Sequence, residues 1–430
     1  MEKKKTNVVA IVTMFFMFAM ISFVTNMAAP FGNIWKIKDG MEWSGMLGNL
    51  MNFTAYLIMG IPAGKMLSRI GYKKTALTAL AVGFFGMLIQ MASSFMDVSY
   101  SALVVYLLGA FVCGFCVCML NTVVNPMLNL LGGGGNRGNQ LIQAGGTLNS
   151  LTGTATPLLA GAMIGTLTKD TALANVRPLL LIALGVFLLS FIIIYFVAIP
   201  EPNQNKSKSE GKDKYSAWSF RHLVLGVTAI FFYVGVEVGI PGELNFYLSD
   251  PTAKGAGLGE GAAVIGGAIA AVYWLLMFVG RLASTAISGK VSSKTQITVV
   301  SAVAIIFLLI AIFLPKSMTM SMPGYQGGSF TMVVVPVSAL FIVLCGLCTS
   351  LMWGGIFNLA VEGLGKYTEQ ASGIFMMMVV GGGVMPFIQD WIARATGYMT
   401  SYWLVIAMLA FILYYAIAGC KNVNKDIPVE

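Results

Sequence analysis

Composition excludes a water-soluble globular protein. Of the 430 residues, 57% are hydrophobic and 10% are charged, whereas a soluble domain carries about 25% charged residues. The formal net charge of +9 lies mainly in polar segments between apolar runs, where it sets the orientation of a membrane protein. No nucleic-acid partner is therefore expected.

Twelve apolar runs follow one another along the chain. Each is about 20 residues long, which is the length that crosses a hydrocarbon core of ~30 Å as a helix. The runs are continuous rather than alternating, and this favours helices over barrel strands. The sequence predicts an all-α membrane protein with spans at 8–32, 45–68, 75–96, 101–130, 138–167, 178–199, 220–248, 261–288, 295–314, 332–362, 368–393 and 400–419.

Lysine and arginine are distributed unequally over the segments between these spans. With a cytoplasmic N-terminus, 19 of the 26 lie on the cytoplasmic side and 7 on the other side. This positive-inside bias sets orientation. We expect a multi-pass protein of the bacterial inner membrane with both termini in the cytoplasm. The first run is too long for a signal peptide and is interpreted as an uncleaved span.

A polar linker divides the spans into two sets of six. It covers residues 200–219 and separates a predicted N-terminal bundle, 1–199, from a C-terminal bundle, 220–430. A parallel repeat of six spans is typical of secondary transporters, in which rocking of the two halves exposes a central cavity to each side in turn.

Short motifs recur in the same order in both halves. Asn26-x-x-x-Pro30 in span 1 matches Glu237-x-x-x-Pro241 in span 7, and QAGG (143–146) in span 5 matches QASG (370–373) in span 11. Each match is weak by itself, but their shared order indicates an internal repeat.

The loop after span 2 carries GIPAGKMLSRIGYKKT, Gly60 to Thr75. This stretch resembles the loop signature of the major facilitator superfamily, although the usual Asp near the helix end is missing. Further stretches are similar to the fucose–galactose–glucose/proton symporter family: NTVVNP (121–126), TLNS (147–150), YVGVEV (233–238), VYWLLMFVGR (272–281) and IFNLAVEGLGKYTEQASG (356–373). The resemblance covers nearly the whole chain. It implies twelve transmembrane helices in two pseudo-symmetric six-helix bundles and the transport of a monosaccharide.

Two residues depart from the pattern of that family. Its proton-driven members carry an Asp in span 1 and a Glu in span 4, and these positions are Asn26 and Asn121 here. An amide does not bind and release a proton at physiological pH. Coupling to protons therefore does not follow from the resemblance alone.

Glu237 is the principal candidate for a functional carboxylate. An ionised carboxylate at the membrane centre costs about 2.5–3.5 kcal/mol, so Glu237 is expected to face the cavity. It is the predicted ion-coupling residue, with a sugar-hydroxyl acceptor or a Na⁺ ligand as open alternatives. Glu243 lies about 9 Å along the helix and ~240° around it, so the two glutamates do not form a dyad. Pro241 is expected to interrupt the helix between them.

Amide side chains form stripes on several spans. Asn121 and Asn125 are four residues apart in span 4 and share one helix face. An amide offers a donor and an acceptor, which suits sugar hydroxyl groups, although some amides must instead bridge helices. The predicted polar sugar contacts are Asn26, Asn52, Tyr56, Asn121, Asn125, Gln143, Asn149, Asn245 and Asn358, together with Glu237.

Aromatic side chains supply the other half of a sugar site, since their faces pack on the apolar face of a pyranose. Tyr273, Trp274 and Trp353 lie at suitable depth in spans 8 and 10. Gating or loop-bracing roles are assigned to Glu243, Glu362, Arg69 and Arg281, and Glu243 is either a gate or a hydrated rim residue.

The sequence thus predicts an ion-coupled importer of a hexose, deoxyhexose or amino sugar, with H⁺ or Na⁺ as co-substrate and membrane lipid around a monomer. It is not expected to be an enzyme. No cofactor or metal is expected, because both Cys-x-x-Cys pairs lie in apolar spans without a nearby histidine. The alternatives are an uncoupled sugar facilitator and a carrier of an acidic sugar or organic anion. An anion carrier needs a mid-helix cation, and none is evident from the sequence.

Overall fold

The computed structural model describes residues 8–27, 31, 34–35, 41, 44, 47–164, 172–201, 215–250, 253–258, 262–326 and 329–429. The helices are α1 (Val8–Asn26), α2 (Leu47–Ser93), α3 (Tyr100–Leu131), α4 (Gly135–Ile164), α5 (Arg177–Phe196), α6 (Arg221–Ser249), α7 (Ala262–Ile287), α8 (Ser293–Phe313), α9 (Val337–Thr349), α10 (Met352–Val361), α11 (Thr368–Met377), α12 (Gly381–Thr396) and α13 (Tyr398–Tyr414). A hairpin of strands β1 (Thr319–Gln326) and β2 (Ser329–Pro336) precedes α9.

The predicted spans are helical. Ten helical stretches among the described residues are long and apolar enough to cross a membrane. One of them, α2, contains predicted spans 2 and 3, and the long helix α4 adds a further predicted span outside those ten. Spans 10 and 11 are each broken, into α9 and α10 and into α11 and α12.

The bend inside α2 explains the glycine of the GYKKT motif. Gly71 has φ of 84° and ψ of 176°, a conformation that residues with a Cβ rarely adopt. The Glu201 carboxylate, just after α5, accepts from the backbone amides of Tyr72 and Lys73 at 2.8 Å each. These are orphan donors at the start of a new helical segment, and an anion there is favourable. A carboxylate from a distant part of the chain thus caps the segment that follows Gly71.

The chain folds into two compact units. Unit 1 consists of Met1–Phe220, Val361–Val380 and Asn424–Glu430, and unit 2 consists of Arg221–Ala360 and Gly381–Val423. The segment that contains α11 therefore belongs to unit 1, although it follows the polar linker in sequence.

The QASG motif at the start of α11 holds this segment inside unit 1. Gln370 Oε1 accepts from the Ala217 amide at 2.9 Å, and Ser372 Oγ donates to the Thr122 carbonyl of α3 at 3.1 Å. Gly373 lies against α2 so closely that a Cβ would be 2.7 Å from the Gly64 Cα. A glycine is required there because the two helix backbones meet.

The hairpin replaces the predicted start of span 10. That span is expected from residue 332, but residues 332–336 form the end of β2, and α9 begins at Val337. Val333 and Val335 are buried, whereas Met332 and Val334 are 59% exposed. This alternation is the signature of a strand, and the Gly-Gly pair at 327–328 is a hairpin signal in the sequence.

The prediction that Pro241 interrupts its helix is wrong. Helix α6 continues from Arg221 to Ser249 with Pro241 inside it. Proline removes one backbone donor, and neighbouring helices in a membrane can satisfy backbone groups near such a site. Beside the proline, the Tyr402 hydroxyl donates to the Ile240 carbonyl at 3.0 Å and ties α6 to α13.

Candidate functional site

Unit 1 contains a buried group of amides and a phenol on α2 and α3. Asn121 Nδ2 donates to the Tyr56 hydroxyl at 2.8 Å. Asn125, one turn further along α3, donates to the Asn121 backbone carbonyl at 2.9 Å. Asn52 lies one turn before Tyr56, and its Oδ1 is buried without a hydrogen-bond partner among the described residues. We call these four residues the amide group.

Helix packing brings the amide group together. A Cβ at Gly114 of α3 would lie 2.6 Å from the Ala55 Cβ and 3.0 Å from the Asn52 Cα. The absence of a side chain at Gly114 lets α2 approach α3 at this level. The polar stripe of α2 therefore lies against that of α3, as the spacing of four residues predicts.

A second set of polar contacts in unit 1 joins Asn149 of α4 to α1, where Asn26 lies one turn after Ser22. Ser22 Oγ donates to the Asn149 carbonyl at 2.6 Å, and Asn149 Nδ2 donates to the Phe18 carbonyl at 3.2 Å. Asn26 Nδ2 donates to the Ser22 carbonyl, one turn earlier, at 2.8 Å. Asn149 thus helps to hold α4 against α1, whereas the Asn26 bond lies within α1. Gln143, also on α4, is buried.

Unit 2 contains a buried ion pair. Arg281 Nη2 of α7 donates to Glu237 Oε1 of α6 at 3.0 Å, and the side chains are 10% and 14% exposed. The interpretation of Arg281 as a loop brace does not describe this contact, because Arg281 is the mid-helix cation that was not evident from the sequence. Since its charge is compensated by Arg281, Glu237 is a weaker candidate for the ion-coupling carboxylate: protonation would leave a buried guanidinium without its anion.

Aromatic side chains surround the ion pair. Tyr233 lies one turn before Glu237 and within electrostatic reach of both charged groups, and its ring meets Trp353 edge-on, with centroids 6.3 Å apart. The Tyr273 hydroxyl is 2.8 Å from Thr349 Oγ1. Trp274 contacts Tyr273 but is 40% exposed. The ion pair with Tyr233, Tyr273 and Trp353 is called the charged group below.

Glu243 faces a different neighbour from Glu237. Its side chain is buried at 3% exposure, and its charged neighbours are Asp390 and Arg394 of α12. The prediction that the two glutamates do not form a dyad is confirmed. The alternative of a hydrated rim residue is wrong in this structure, because a wet rim residue would be exposed.

Four further predicted residues have local contacts or are exposed. Asn245 accepts from Ser249 Oγ on its own helix at 3.2 Å. Asn358 Nδ2 donates to Ser293 Oγ, at the start of α8, at 3.0 Å. Glu362 and Arg69 are exposed. Asn358 thus serves as a contact between helices in unit 2.

Tyr233 and Arg281 of the charged group could have been recognised as site residues from the sequence. Tyr233 is four residues from Glu237, which places both on one helix face. Arg281 lies seven residues before the predicted end of span 8, too deep for a loop brace. An intramembrane arginine is rarely without a functional or pairing role, so depth alone could have marked Arg281 as a site residue.

The chemistry of these groups suits a polyhydroxylated ligand better than a metal. Amides, phenols and a compensated ion pair present donors and acceptors without a free charge. Among the described residues there is no set of three or more His, Cys, Asp or Glu side chains that could hold a metal ion.

Comparison with known proteins matches most of the chain. The model of the Major Facilitator Superfamily matches residues 8–386. A glucose/galactose transporter of Brucella abortus biovar 1 is 29% identical over 416 residues, which cover 95% of this chain and 93% of that protein. The L-fucose-proton symporter of Escherichia coli K12 is 21% identical, over 86% of this chain and 83% of the symporter.

Solved structures share the fold. The crystal structure of the transporter FucP in the outward conformation superposes with a TM-score of 0.77 at 19% identity, covering 95% of this chain and 98% of FucP. The predicted twelve-helix, two-bundle fold is therefore confirmed. The family model spans most of the chain, and the protein belongs to the Major Facilitator Superfamily.

Proposed function

We propose that the protein is a secondary active transporter that imports a neutral monosaccharide by alternating access, coupled to a cation. The observation that carries this proposal is the amide group, a cluster of hydrogen-bonding side chains buried in an apolar helical unit. The names of the relatives support the substrate class, since one is called a glucose/galactose transporter and another an L-fucose-proton symporter.

The amide group matches the hydrogen-bonding needs of a sugar. The Asn52 Oδ1 is an acceptor without a donor among the described residues. One turn away, the Tyr56 hydroxyl accepts from Asn121 and keeps an O–H that can donate. A sugar hydroxyl both donates and accepts, so neighbouring hydroxyls on one ring would satisfy both positions.

The charged group in unit 2 favours a neutral sugar over an acidic one. Arg281 is a buried cation, as an acidic substrate would require, but its guanidinium already binds Glu237. A sugar carboxylate would have to displace that internal anion. The pair therefore presents polar atoms with little net charge, and Tyr233 and Trp353 beside it supply aromatic surface.

The membrane setting follows from charge and exposure. The positive-inside bias supports cytoplasmic termini and a bacterial inner membrane. Large apolar side chains such as Phe85, Phe196 and Phe387 are 62%, 79% and 75% exposed and would contact lipid. In this orientation the end of α6 that carries Glu243 lies towards the outside of the cell.

Uptake into proteoliposomes tests this function. The purified protein would be reconstituted and given labelled galactose, glucose, fucose or N-acetylglucosamine, first with an imposed proton gradient and then with a Na⁺ gradient. We expect one or more of these sugars to accumulate above equilibrium with one gradient. Equilibration without accumulation would instead identify an uncoupled facilitator, and failure with every sugar would refute the proposal.

Tyr56→Phe is expected to weaken sugar binding without preventing transport. The change removes one hydroxyl while keeping the ring, and a hydrogen bond contributes about 0.5–1.5 kcal/mol, so KM should rise roughly two- to tenfold. Tyr195→Phe is the matched control, because Tyr195 is 59% exposed on α5. Equal KM values for the two variants would remove Tyr56 from the substrate site.

A further inference from the structure

Two buried acceptor oxygens without donors lie along α6 and α12 of unit 2. Glu243 Oε1 and Gln389 Oε1 each have no hydrogen-bond partner among the described residues. Their side chains are 3% and 0% exposed. A buried polar atom without a partner is costly, so each of these two oxygens calls for a hydrogen-bond donor.

Helix geometry places both oxygens in the contact between α6 and α12. A Cβ at Gly239 would overlap Gln389 Oε1, so the carboxamide oxygen lies directly against α6 at this glycine. Glu243 is four residues beyond Gly239 and therefore lies on the same face of α6, one turn along. Gln389 Nε2 is oriented towards Ser401 Oγ of α13, at 3.5 Å, which leaves Oε1 on the α6 side.

No cation among the described residues forms an ion pair with Glu243. The charged groups that act on it are Asp390 and Arg394 of α12, and the phenols of Tyr398 and Tyr402 of α13 also lie within electrostatic reach. In the described parts of α7 and α9, no charged group joins this set. Arg394 is 78% exposed and its Nη2 is bound to Asp390 Oδ2 at 2.7 Å. Its positive charge is therefore shared with Asp390 and largely screened by solvent.

The two phenols do not provide donors to Glu243 either. The Tyr398 hydroxyl donates to Asp250 Oδ2 at 2.9 Å, and the Tyr402 hydroxyl donates to the Ile240 carbonyl at 3.0 Å. Among the described residues, an ionised Glu243 would therefore be a buried anion with no ion pair of its own and no hydrogen bond to Oε1, which is an unfavourable arrangement.

We propose that Glu243 is a neutral carboxylic acid in this state, that Gln389 is its hydrogen-bond acceptor, and that the proton it carries is the coupling ion. This inference rests on the proposed function and gives it a coupling residue. Protonation turns Glu243 into an O–H donor beside an oxygen that lacks one, so a single proton satisfies both groups. The proton is taken from water on the side to which Glu243 is open and returned to water on the other side.

Glu243 differs from Glu237 in the property that proton coupling requires. The guanidinium of Arg281 is a permanent cation and lies 3.0 Å from Glu237. Protonation of Glu237 would therefore leave Arg281 without its counter-charge. Glu243 can alternate between neutral and charged forms without breaking an internal ion pair. The amides Asn26 and Asn121, which stand at carboxylate positions of similar symporters, are then no obstacle to proton coupling.

Infrared spectroscopy of the purified protein tests the protonation state independently of any substrate. We expect wild type at neutral pH to show the carbonyl stretch of a protonated carboxylic acid, to lose it at high pH, and to lack its main component in Glu243→Gln. Glu362→Gln, at an exposed glutamate, is the control and should keep the band. A band that is absent from wild type, or unchanged in Glu243→Gln, would overturn the proposal.

Transport measurements test the coupling role. Glu243→Gln copies the neutral form, so it should fold with an unchanged thermal midpoint, exchange labelled sugar at a rate within about twofold of wild type, and lose accumulation driven by a proton gradient. Gln389→Leu, which removes the acceptor, should shift the pH at which the band disappears.

The outcomes separate the coupling proposal from the transport proposal. Absence of sugar exchange in wild type, with the infrared band assigned to Glu243, would refute sugar transport and leave the neutral carboxyl established. Exchange and accumulation that both persist in Glu243→Gln would refute the coupling role. Loss of the wild-type band on addition of Na⁺ would overturn it in favour of a Na⁺ site.

Discussion

Arg281→Gln is expected to destabilise the protein by about 3–5 kcal/mol, because it leaves a buried carboxylate without its counter-charge. Glu237 and Arg281 are 14% and 10% exposed, and their 3.0 Å contact joins α6 to α7. Thermal unfolding in detergent would show a fall in the midpoint of several degrees. Arg69→Gln, at an exposed arginine of unit 1, is the control and should leave the midpoint near that of wild type.

The double variant Glu237→Gln/Arg281→Gln distinguishes charge from packing. Two neutral amides can hydrogen-bond to each other and leave no buried ion, so the double variant should be more stable than Arg281→Gln alone. A double variant as unstable as the single one would show that the guanidinium acts through packing. An Arg281→Gln midpoint equal to that of wild type would contradict the role of the pair altogether.

Gly373→Leu is expected to have the second largest effect, because it forces α11 away from α2. A Cβ at Gly373 would lie 2.5 Å from the Gly60 carbonyl oxygen and 2.7 Å from the Gly64 Cα. These are backbone atoms, so no side-chain rotation relieves the overlap, and overpacking typically costs about 1–3 kcal/mol. Both the thermal midpoint and the transport rate should fall.

Gly185→Leu is the matched control for this prediction. Gly185 lies on α5, also in unit 1, and a Cβ there meets nothing within 4 Å. A leucine at this position should be tolerated, with a small gain in helix propensity. If Gly373→Leu were as stable and as active as Gly185→Leu, the close contact between α2 and α11 would not exist in the functional protein.

The helical fold was predictable because membrane spanning imposes a local rule. A helix in lipid satisfies its own backbone and needs only about 20 apolar residues, so eleven of the twelve predicted spans correspond to a helix without a misplaced start. The exception is span 10, where a strand precedes the helix. Length and hydropathy do not separate a short apolar strand from the end of a helix, although the alternation at Met332–Val335 does.

The residues of the polar groups could be predicted from the sequence, but the contacts between them could not. The stripe of Asn121 and Asn125 follows from helical periodicity, but the hydrogen bond to Tyr56 depends on how α2 meets α3. The Glu237–Arg281 pair likewise depends on the packing of α6 against α7, since the residues are 44 positions apart. Tertiary pairing of this kind is set by interhelical geometry, which one sequence does not contain.

Gly71 and Glu201 show the same limit in a loop. The glycine could be predicted from the motif, because a turn between helices commonly needs a positive φ. Its partner could not, because Glu201 is 129 residues from Tyr72 and four predicted transmembrane spans lie between them. The sequence therefore indicates which positions need a partner more reliably than it indicates the partner.

Sugar counterflow is the most direct test of the proposal that the protein is a monosaccharide carrier. Proteoliposomes preloaded with unlabelled galactose would be diluted into a trace of labelled galactose, without any ion gradient, and the panel would then be repeated with glucose, fucose and N-acetylglucosamine. A carrier that alternates its access predicts a transient accumulation of label above equilibrium for at least one sugar. Label that never exceeds equilibrium for any of them would show that the protein is not a carrier of these sugars.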